Sequence, residues 1–317
     1  MARWTDSAFD NEEIAAVHRA ALRSIARVVS DSDTPIDNDA ARAGIASMLR
    51  AGNVLVLTGA GVSTESGIPD YRGPQGALRD HRPMTYQEFM YDDAARLRYW
   101  ARAYVGWRRM KQAHPNRAHY ALAELQAAGA LSAIVTQNVD GLHADAGADN
   151  VLALHGDMSR VQCLSCREFE SRESFDRRLE DANPGYLQRL EEVNLRVNPD
   201  GDVDLSEEQV RDFTMVGCRL CGSLSMKPDV VYFGEAVPAD RKARLKQLQE
   251  SSSGLLLVGT SVAVMSGYKM VLDMLRAGKP VGVINGGPGR ADAKVTYLWR
   301  GMVGPSLELL LDDLDLS

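Results

Sequence analysis

Three segments of the chain share one design: a helix-like stretch, a glycine, then a short apolar run. They are "IASMLRAGNVLVLTG", "ALAELQAAGALSAIVTQ" and "MVLDMLRAGKPVGVING". Gly52, Gly129 and Gly278 stand where a left-handed residue ends a helix. The runs behind them, Val54–Leu57, Ala133–Val135 and Val281–Ile284, are continuous. A strand with one wet face alternates apolar and polar residues, whereas a strand covered on both faces does not. Further apolar runs lie at Val151–Leu154, Val230–Phe233 and Gly254–Gly259. Helices alternating with doubly buried strands predict an α/β fold, a doubly wound Rossmann-like parallel sheet.

Two regions break this rhythm. Residues 79–112 are rich in Arg, Tyr and Trp and read as helical, and residues 158–226 carry all four cysteines and many charges. Both are expected to build a smaller inserted module. Residues 1–39 read as a helical extension, with Ile14, Val17, Ala21, Ile25 and Val28 on one face and a polar stretch, "SDSDTPIDND", behind it. The sheet domain is then expected over 40–78, 113–157 and 227–317.

Composition narrows the partners. A net charge of −7 argues against nucleic acid. No apolar run approaches the ~20 residues needed to cross a bilayer, so no membrane partner is expected. The first residues, "MARWTDSAFDNEEIAAVHRA", lack an apolar signal core and carry early acids, which predicts a cytoplasmic protein.

The chemistry-bearing residues gather where the buried strands end. "VLVLTGAGVSTESGIPDYRG" runs from a strand into Gly59-Ala60-Gly61 and a predicted helix. Such a turn presents backbone N–H groups at the carboxyl edge of a sheet, where phosphates bind, although a tight turn without a ligand reads the same way. Thr64 stands where the dinucleotide fingerprint has its third glycine, and no acidic residue ends a second strand ~20 residues on, so hydride transfer fits poorly. "TQNVDGLHADAG" puts Gln137, Asn138 and Asp140 at a second strand end, able to hold a ribose or a carboxamide or to form an Asx-rich turn. His155 ends a third run, in "LALHGDM". Among six histidines (18, 81, 114, 119, 143 and 155) it alone combines a strand end with a following glycine, the setting for a general base. His119 reads as packing or capping, and His143 as either structural or functional. Gly259-Thr260-Ser261 and "INGGPG" from Asn285 supply two further turns at the same edge.

The cysteines form two C-x-x-C pairs, Cys163/Cys166 and Cys218/Cys221, with residues 167–217 between them. Two such knuckles complete a tetrahedral zinc site. A redox dithiol needs only one pair. Four thiolates leave no open position, so the zinc is expected to be structural.

In order along the chain, "GAGVSTESGIPDYRG", "TQNVDGLH", "LHGDM", "CLSC…CRLC", "KPDVVYFGE" and "VGTSVAV" resemble the motifs of the sirtuins, NAD-dependent protein-lysine deacylases. The resemblance spans roughly residues 40–310, and "RYWARAYVGW", "PDGDVDLSEEQVRDF" and "SGYKMVL" look most like the class II branch. It implies that Gly59, Ala60, Gly61 and Ser63 line the pyrophosphate site. Ile68, Pro69, Asp70, Tyr71 and Arg72 would belong to a cofactor-binding loop at the nicotinamide end. Gln137, Asn138 and Asp140 would contact ribose and nicotinamide. Gly259, Thr260, Ser261, Asn285 and Gly286 would contact the phosphates and adenosine.

The same resemblance makes His155 the general base, with Asn138 and Asp140 also in the catalytic set. NAD is consumed: the acyl oxygen of a modified lysine attacks the ribose carbon as nicotinamide leaves. His155 then deprotonates a ribose hydroxyl, and lysine, O-acyl-ADP-ribose and nicotinamide result. A substrate peptide would add as a strand between Val231, Phe233, Gly234 and Glu235 on one side and Val262 and Val264 on the other. Protein mono-ADP-ribosyl transfer from the same NAD site is the alternative reading, and a non-enzymatic zinc-ribbon binding protein a remoter one. Residues 199–205 read as a loop folded over the acyl channel or as a surface excursion. Tyr99 and Arg102 have the Y-x-x-R spacing that recognises acidic acyl groups in another sirtuin class, within surroundings that match that class poorly, so ordinary or bulky acyl groups are expected over succinyl.

Overall fold

The computed structural model describes residues 6–30, 34–73, 76, 78, 82–190, 198 and 200–316. His81, Pro199 and the middle of the expected polar stretch lie outside the described residues. Helix α1 (Glu12–Ile25) precedes α2 (Asn38–Ala51), which feeds strand β1 (Val54–Thr58). Helices α3 (Tyr86–Tyr91), α4 (Asp93–Met110) and α5 (Arg117–Ala127) lead to β2 (Leu131–Thr136), α6 (Leu142–Asp145) and β3 (Val151–Ala153). Strands β4 (Gly156–Cys163) and β5 (Phe169–Ser171), helices α7 (Arg172–Ala182), α8 (Tyr186–Leu190) and α9 (Glu207–Arg211), and β6 (Met226–Val230) follow. The chain closes with α10 (Ala239–Ser251), β7 (Gly254–Val258), α11 (Met265–Arg276), β8 (Val281–Ile284), β9 (Tyr297–Trp299) and α12 (Val303–Asp313).

Six strands form a parallel sheet in the order β3-β2-β1-β7-β8-β9. The order reverses at β1, so the connections leaving β1 and β7 diverge to opposite faces, and a crevice opens at their carboxyl ends. Alternate residues of each strand enter different cores. Val54, Val56, Ile134, Leu256, Val258 and Ile284 pack under α2, α5 and α12, against Ile45, Leu122 and Leu307. Leu55, Leu57, Val135, Leu255, Leu257 and Val283 pack with Leu248 of α10 and Met270, Val271 and Met274 of α11. Both sets are removed from water, which is why the strands read as unbroken apolar runs. Gly52, Gly129 and Gly278 have φ of 78°, 78° and 69° at the ends of α2, α5 and α11.

Beside the sheet stands a second core. It gathers Trp100 and Tyr104 of α4, Phe175 and Leu179 of α7, Tyr186 and Leu190 of α8, Val161 of β4 and Met226 of β6. Strands β5-β4-β6 form an antiparallel sheet at its edge. The Trp100 indole donates to the Met226 carbonyl at 2.8 Å. The fully buried Arg172 guanidinium lies over the Trp100 and Trp107 rings and donates to the Ala103 carbonyl. The long interval between the cysteine pairs therefore supplies much of this core. Residues 200–205 lie on α4, where an added Cβ on Gly106 would stand 2.4 Å from the Gly201 carbonyl oxygen. Arg102 holds the loop with hydrogen bonds to the Val203 carbonyl and Asp204, and an ion pair to Asp202 at 3.2 Å.

Four sequence expectations are corrected. The run Val230–Phe233 is not a strand of the parallel sheet. Strand β6 ends at Val230, pairs with β4 in the antiparallel sheet, and residues 231–233 leave the ladder. Its side chains line a cleft rather than the core of the parallel sheet, and Tyr232 also stacks on Phe89 of the small module. The turn after β1 gives two 3₁₀ turns, Ala60–Val62 and Thr64–Ser66, where a helix was expected. The left-handed Gly67 (φ 84°) stops the second one. The buried face of α1 is Ala15, His18, Ala21, Leu22 and Ile25, while Val17 is 48% exposed, and Val28, 60% exposed, lies beyond the helix. Tertiary partners set this face: His18 Nδ1 lies 2.9 Å from Ser7 Oγ, its ring packs edge-on to Phe9, and Ala21 meets Gly234. Strands β4, β5 and β9 were not foreseen: β5 and β9 are three-residue edge strands, which carry no periodicity, and β4 mixes polar and apolar residues around a register shift between Asp157 and Val161.

Candidate active site

The expected site residues converge on one cleft of about 1610 Å³ at the carboxyl edge of the parallel sheet. Gly59, Ala60, Gly61 and Ser63 line it from the β1 turn, and Gly259, Thr260, Ser261, Asn285 and Gly286 from the turns after β7 and β8. Ile68, Asp70, Tyr71 and Arg72 form another wall, and Gln137, Asn138, Asp140 and His155 its floor. Val231, Phe233, Gly234 and Glu235 face Val262 and Val264 across the mouth. Pro69 is half-buried and does not line the cleft.

At the switch point the β1 and β7 turns touch backbone to backbone. The Gly61 N–H donates to the Gly259 carbonyl at 2.9 Å, and a Cβ on Gly61 would lie 2.8 Å from that oxygen. A Cβ on Gly59 would meet Thr260 at 2.7 Å, and Gly259 itself has φ 59°. Gly287 is different, because nothing stands within 4 Å of a Cβ built there, and it lines the cleft.

Beneath the turns runs a buried polar chain. The Asn116 backbone N–H donates to His119 Nδ1 at 3.3 Å, which leaves the proton on Nε2, 3.5 Å from Ser63 Oγ. The Asn138 amide donates to Ser63 Oγ at 3.0 Å and to the Gly59 carbonyl at 3.1 Å. With its acceptor side used, the Ser63 hydroxyl donates to Asp140 Oδ2 at 2.7 Å. Burial raises the Asp140 pKa. The Thr58 hydroxyl meets His143 Nε2 at 2.9 Å, and the His143 and His119 rings lie 4.9 Å apart. His143 thus belongs to this network. On the other side the Thr260 hydroxyl donates to Gln137 Oε1 at 2.6 Å. Arg72 donates to the Arg27 and Ser24 carbonyls at the end of α1, at 3.4 and 3.5 Å.

His155 is held from three directions. Gly156, at φ 96°, passes so close to β6 that a Cβ would stand 1.9 Å from the Asp229 carbonyl oxygen. The Val231 N–H donates to the His155 carbonyl at 2.7 Å. The ring Nδ1 lies 3.2 Å from the Gln137 carbonyl, which can only accept, so Nδ1 carries the proton. Nε2 therefore presents its lone pair, 2.8 Å from Ser266 Oγ. Burial pulls the His155 pKa down to about 4, and the imidazole is neutral at physiological pH.

Sequence reasoning missed Ser266, and also Met110 and Met158 on the cleft wall, whereas Asp200 there belongs to the loop read as folding over the acyl channel. Ser266 meets His155 across 111 positions of chain, so no local pattern marks the pair. Tyr99 lines the cleft, whereas Arg102 does not.

The four cysteine Sγ atoms lie within 4.8 Å of one another, with Cys163–Cys221 and Cys166–Cys218 both at 3.6 Å. A tetrahedron of ~2.3 Å zinc–sulfur bonds has edges of ~3.8 Å, so the set fits zinc. The two knuckles repeat one geometry. Cys163 and Cys218 donate their N–H groups to the Glu168 and Ser223 carbonyls, at 2.8 Å each, and Arg167 and Gly222 take φ of 67° and 73°.

The sequence profile of the Sir2 family matches residues 59–266. The chain is 57% identical over 281 residues to "NAD-dependent protein deacetylase 1" of Corynebacterium efficiens, covering 89% of this chain and 100% of that protein. It is 42% identical over 248 residues to "NAD-dependent protein deacylase Sirt4" of Drosophila melanogaster, covering 77% and 78%. A Sir2 structure with deacetylated peptide and O-acetyl-ADP-ribose superposes with TM-score 0.66 at 26% identity, covering 87% of this chain and 99% of that one. The protein belongs to the Sir2 family.

Two outcomes are expected. The purified protein should carry about one zinc per chain by elemental analysis, and Cys163→Ser should lower both zinc content and the urea midpoint. A metal-free protein of full stability would contradict this. The second outcome concerns acid. Burial lowers His119, His143 and His155 to about 4, 3 and 4, against ~6.5 in the unfolded chain. Above pH ~6.5 all three are neutral in both states. Below it the unfolded chain takes up protons that the fold refuses, so stability falls as pH drops toward the folded values. The slope approaches ~1.4 kcal/mol per pH unit for each histidine. Urea titrations from pH 7.5 to 5.5 should show this loss, less steep in His143→Gln, and a flat profile would count against it.

Proposed function

We propose that the chain is an NAD-dependent protein-lysine deacylase in which His155 is the general base. The observation that carries this reading is a neutral, cleft-facing His155 Nε2, fixed by the Nδ1 contact to Gln137, in a cleft walled by glycine turns. NAD, bound as co-substrate, supplies an electrophilic ribose carbon when nicotinamide departs. The turn of Gly59, Ala60, Gly61 and Ser63 receives the pyrophosphate, its shape fixed because the Gly59 and Gly61 N–H groups are spent on the Val258 and Gly259 carbonyls and the Ser63 hydroxyl on Asp140. Gly259, Thr260, Ser261, Asn285 and Gly286 hold the phosphates and adenosine, and Ile68, Asp70, Tyr71 and Arg72 the nicotinamide end. Asn138 and Asp140, tied through Ser63, orient the ribose together with Gln137. Val231, Phe233, Gly234 and Glu235, with Val262 and Val264, take an acyl-lysine peptide as an added strand. The four cysteines hold a structural zinc. The separate cores support an organisation into an N-terminal extension (1–39), a sheet domain (40–78, 113–157 and 227–317) and a small module (79–112 and 158–226).

The acyl group would sit among Tyr71, Tyr99, Met110, Met158 and Asp200, all of which line the cleft. Arg102, the cation that a Y-x-x-R reading would send to an acidic acyl group, is engaged by Asp202 and Asp204 instead. A succinyl carboxylate would thus not find the Arg102 guanidinium in the cleft. Succinyl-lysine peptide should therefore react at least about 10-fold more slowly than butyryl-lysine peptide, by kcat/KM. Succinyl-lysine as the better substrate would reverse this assignment.

Mass spectrometry of the products tests the function itself. O-Acyl-ADP-ribose and free lysine mean deacylation, whereas ADP-ribosylated protein without acyl loss means the alternative transfer. His155→Ala should cut turnover by ~10²–10⁴ and still bind NAD in calorimetry. Near-normal turnover would remove His155 from the role of base.

A further inference from the structure

The residue that touches the working nitrogen of His155 is Ser266, in the first turn of α11. We propose that Ser266 is the positioning residue of the general base. The inference rests on His155 being that base. Its hydroxyl holds Nε2 toward the cleft in both protonation states of the ring.

The argument follows the protons. Gln137 O is a carbonyl and fixes the Nδ1 proton, so the neutral ring offers only a lone pair at Nε2. At 2.8 Å the Ser266 hydroxyl donates to it. A hydroxyl can also accept. To take a proton from a substrate hydroxyl, Nε2 needs its single lone pair free, so Ser266 first turns its O–H away; its Oγ then accepts from the new Nε2–H, with no heavy atom moving. An amide or carboxylate at this distance would serve one state better than the other. Lysine or arginine could donate to the neutral ring but could not serve the protonated one, having no lone pair to offer Nε2–H and a charge that opposes the imidazolium. Burial already disfavours the imidazolium. A reversible partner at Nε2 offsets part of that cost at the moment the base is protonated.

The backbone supports this placement. Ser266 follows Met265 at the start of α11, behind the turn whose Val262 takes φ 42°. Gly267 comes next, and a Cβ there would stand 2.9 Å from the Gln137 amide nitrogen. Gly267 thus lets α11 approach the segment that carries the Nδ1 acceptor. Both nitrogens of the imidazole are then bound by groups whose spacing one close approach sets. Ser266 also lines the cleft, so a substrate hydroxyl can reach Nε2 beside it.

The test compares Ser266→Ala, Ser266→Thr and His155→Ala in the full-length, zinc-loaded enzyme, with acetyl-lysine peptide and NAD. Three readouts are taken: kcat, KM for NAD, and exchange of labelled nicotinamide into NAD. The exchange reports bond breaking before any ribose hydroxyl is deprotonated. Ser266→Ala is expected to lower kcat about 10-fold or more. Its KM for NAD should stay within about threefold, and nicotinamide exchange should be retained. Ser266→Thr keeps the hydroxyl and should restore most of the lost kcat. Equal losses in Ala and Thr would overturn the proposal. So would a kcat within about twofold of wild type in the Ala variant, or a loss confined to KM. If His155→Ala remains active, the base assignment fails; if it is dead while Ser266→Ala is not, only the role of Ser266 fails. Urea midpoints of the three variants separate either result from misfolding.

Discussion

The contact on which the molecule turns is the meeting of two loops at the centre of the sheet. Gly61 donates its N–H to the Gly259 carbonyl, and neither Gly59 nor Gly61 has room for a Cβ. Parallel strands β1 and β7 are neighbours, but the chain leaves them toward opposite faces. Only a backbone without side chains lets both exits start from the same point. The crevice between them is thus lined by peptide groups, which is what an anionic ligand needs.

Polar groups collected in that crevice must be satisfied once buried. Ser63, Asn138, Asp140, Thr58, His119 and His143 do this largely among themselves, and the sheet around them excludes water. The chain from the Asn116 N–H through His119 and Ser63 to Asp140 has a single proton direction, since each donor has its acceptor. Such a network is rigid because any one reversal leaves a buried group unpaired. The same burial keeps the histidines neutral, so structure and chemistry draw on one physical term. His155 differs from the other two in facing the cleft.

The small module closes the other side. Its cysteine knuckles sit at the far end of β4, whose first residue, Gly156, directly follows His155. One short strand therefore connects the metal-binding end to the base. Strand β6 lies against β4, and the segment 231–235 that leaves it forms the mouth of the cleft. The interval between the cysteine pairs fills the module with Phe175, Leu179, Tyr186 and Val203 and presses residues 200–205 onto α4. Displacing that loop would expose Val203 and separate Arg102 from Asp202.

The sequence alone determined five of the six strands of the central sheet, the clustered cysteines and most of the cleft. Strands buried on both faces cannot alternate, so Val54–Leu57 and Val281–Ile284 announce themselves. A tight C-x-x-C turn places two thiolates on one metal from local geometry alone. Glycine and polar residues directly after such strands fall at one sheet edge by topology. Tertiary structure decided what depends on distant partners. Val230–Phe233 is apolar like a strand, and only the pairing of β4 with β6 sends it to the cleft. The buried stripe of α1 was set by partners that include Ser7 and Phe9 at His18 and Gly234 at Ala21, and residues 200–205 by the glycine of α4. Ser266 reached His155, and Arg102 was taken from the cleft by Asp202 and Asp204, because side chains far apart in sequence were brought within hydrogen-bonding distance. No periodicity encodes such pairs, since their geometry exists only after the cores have packed.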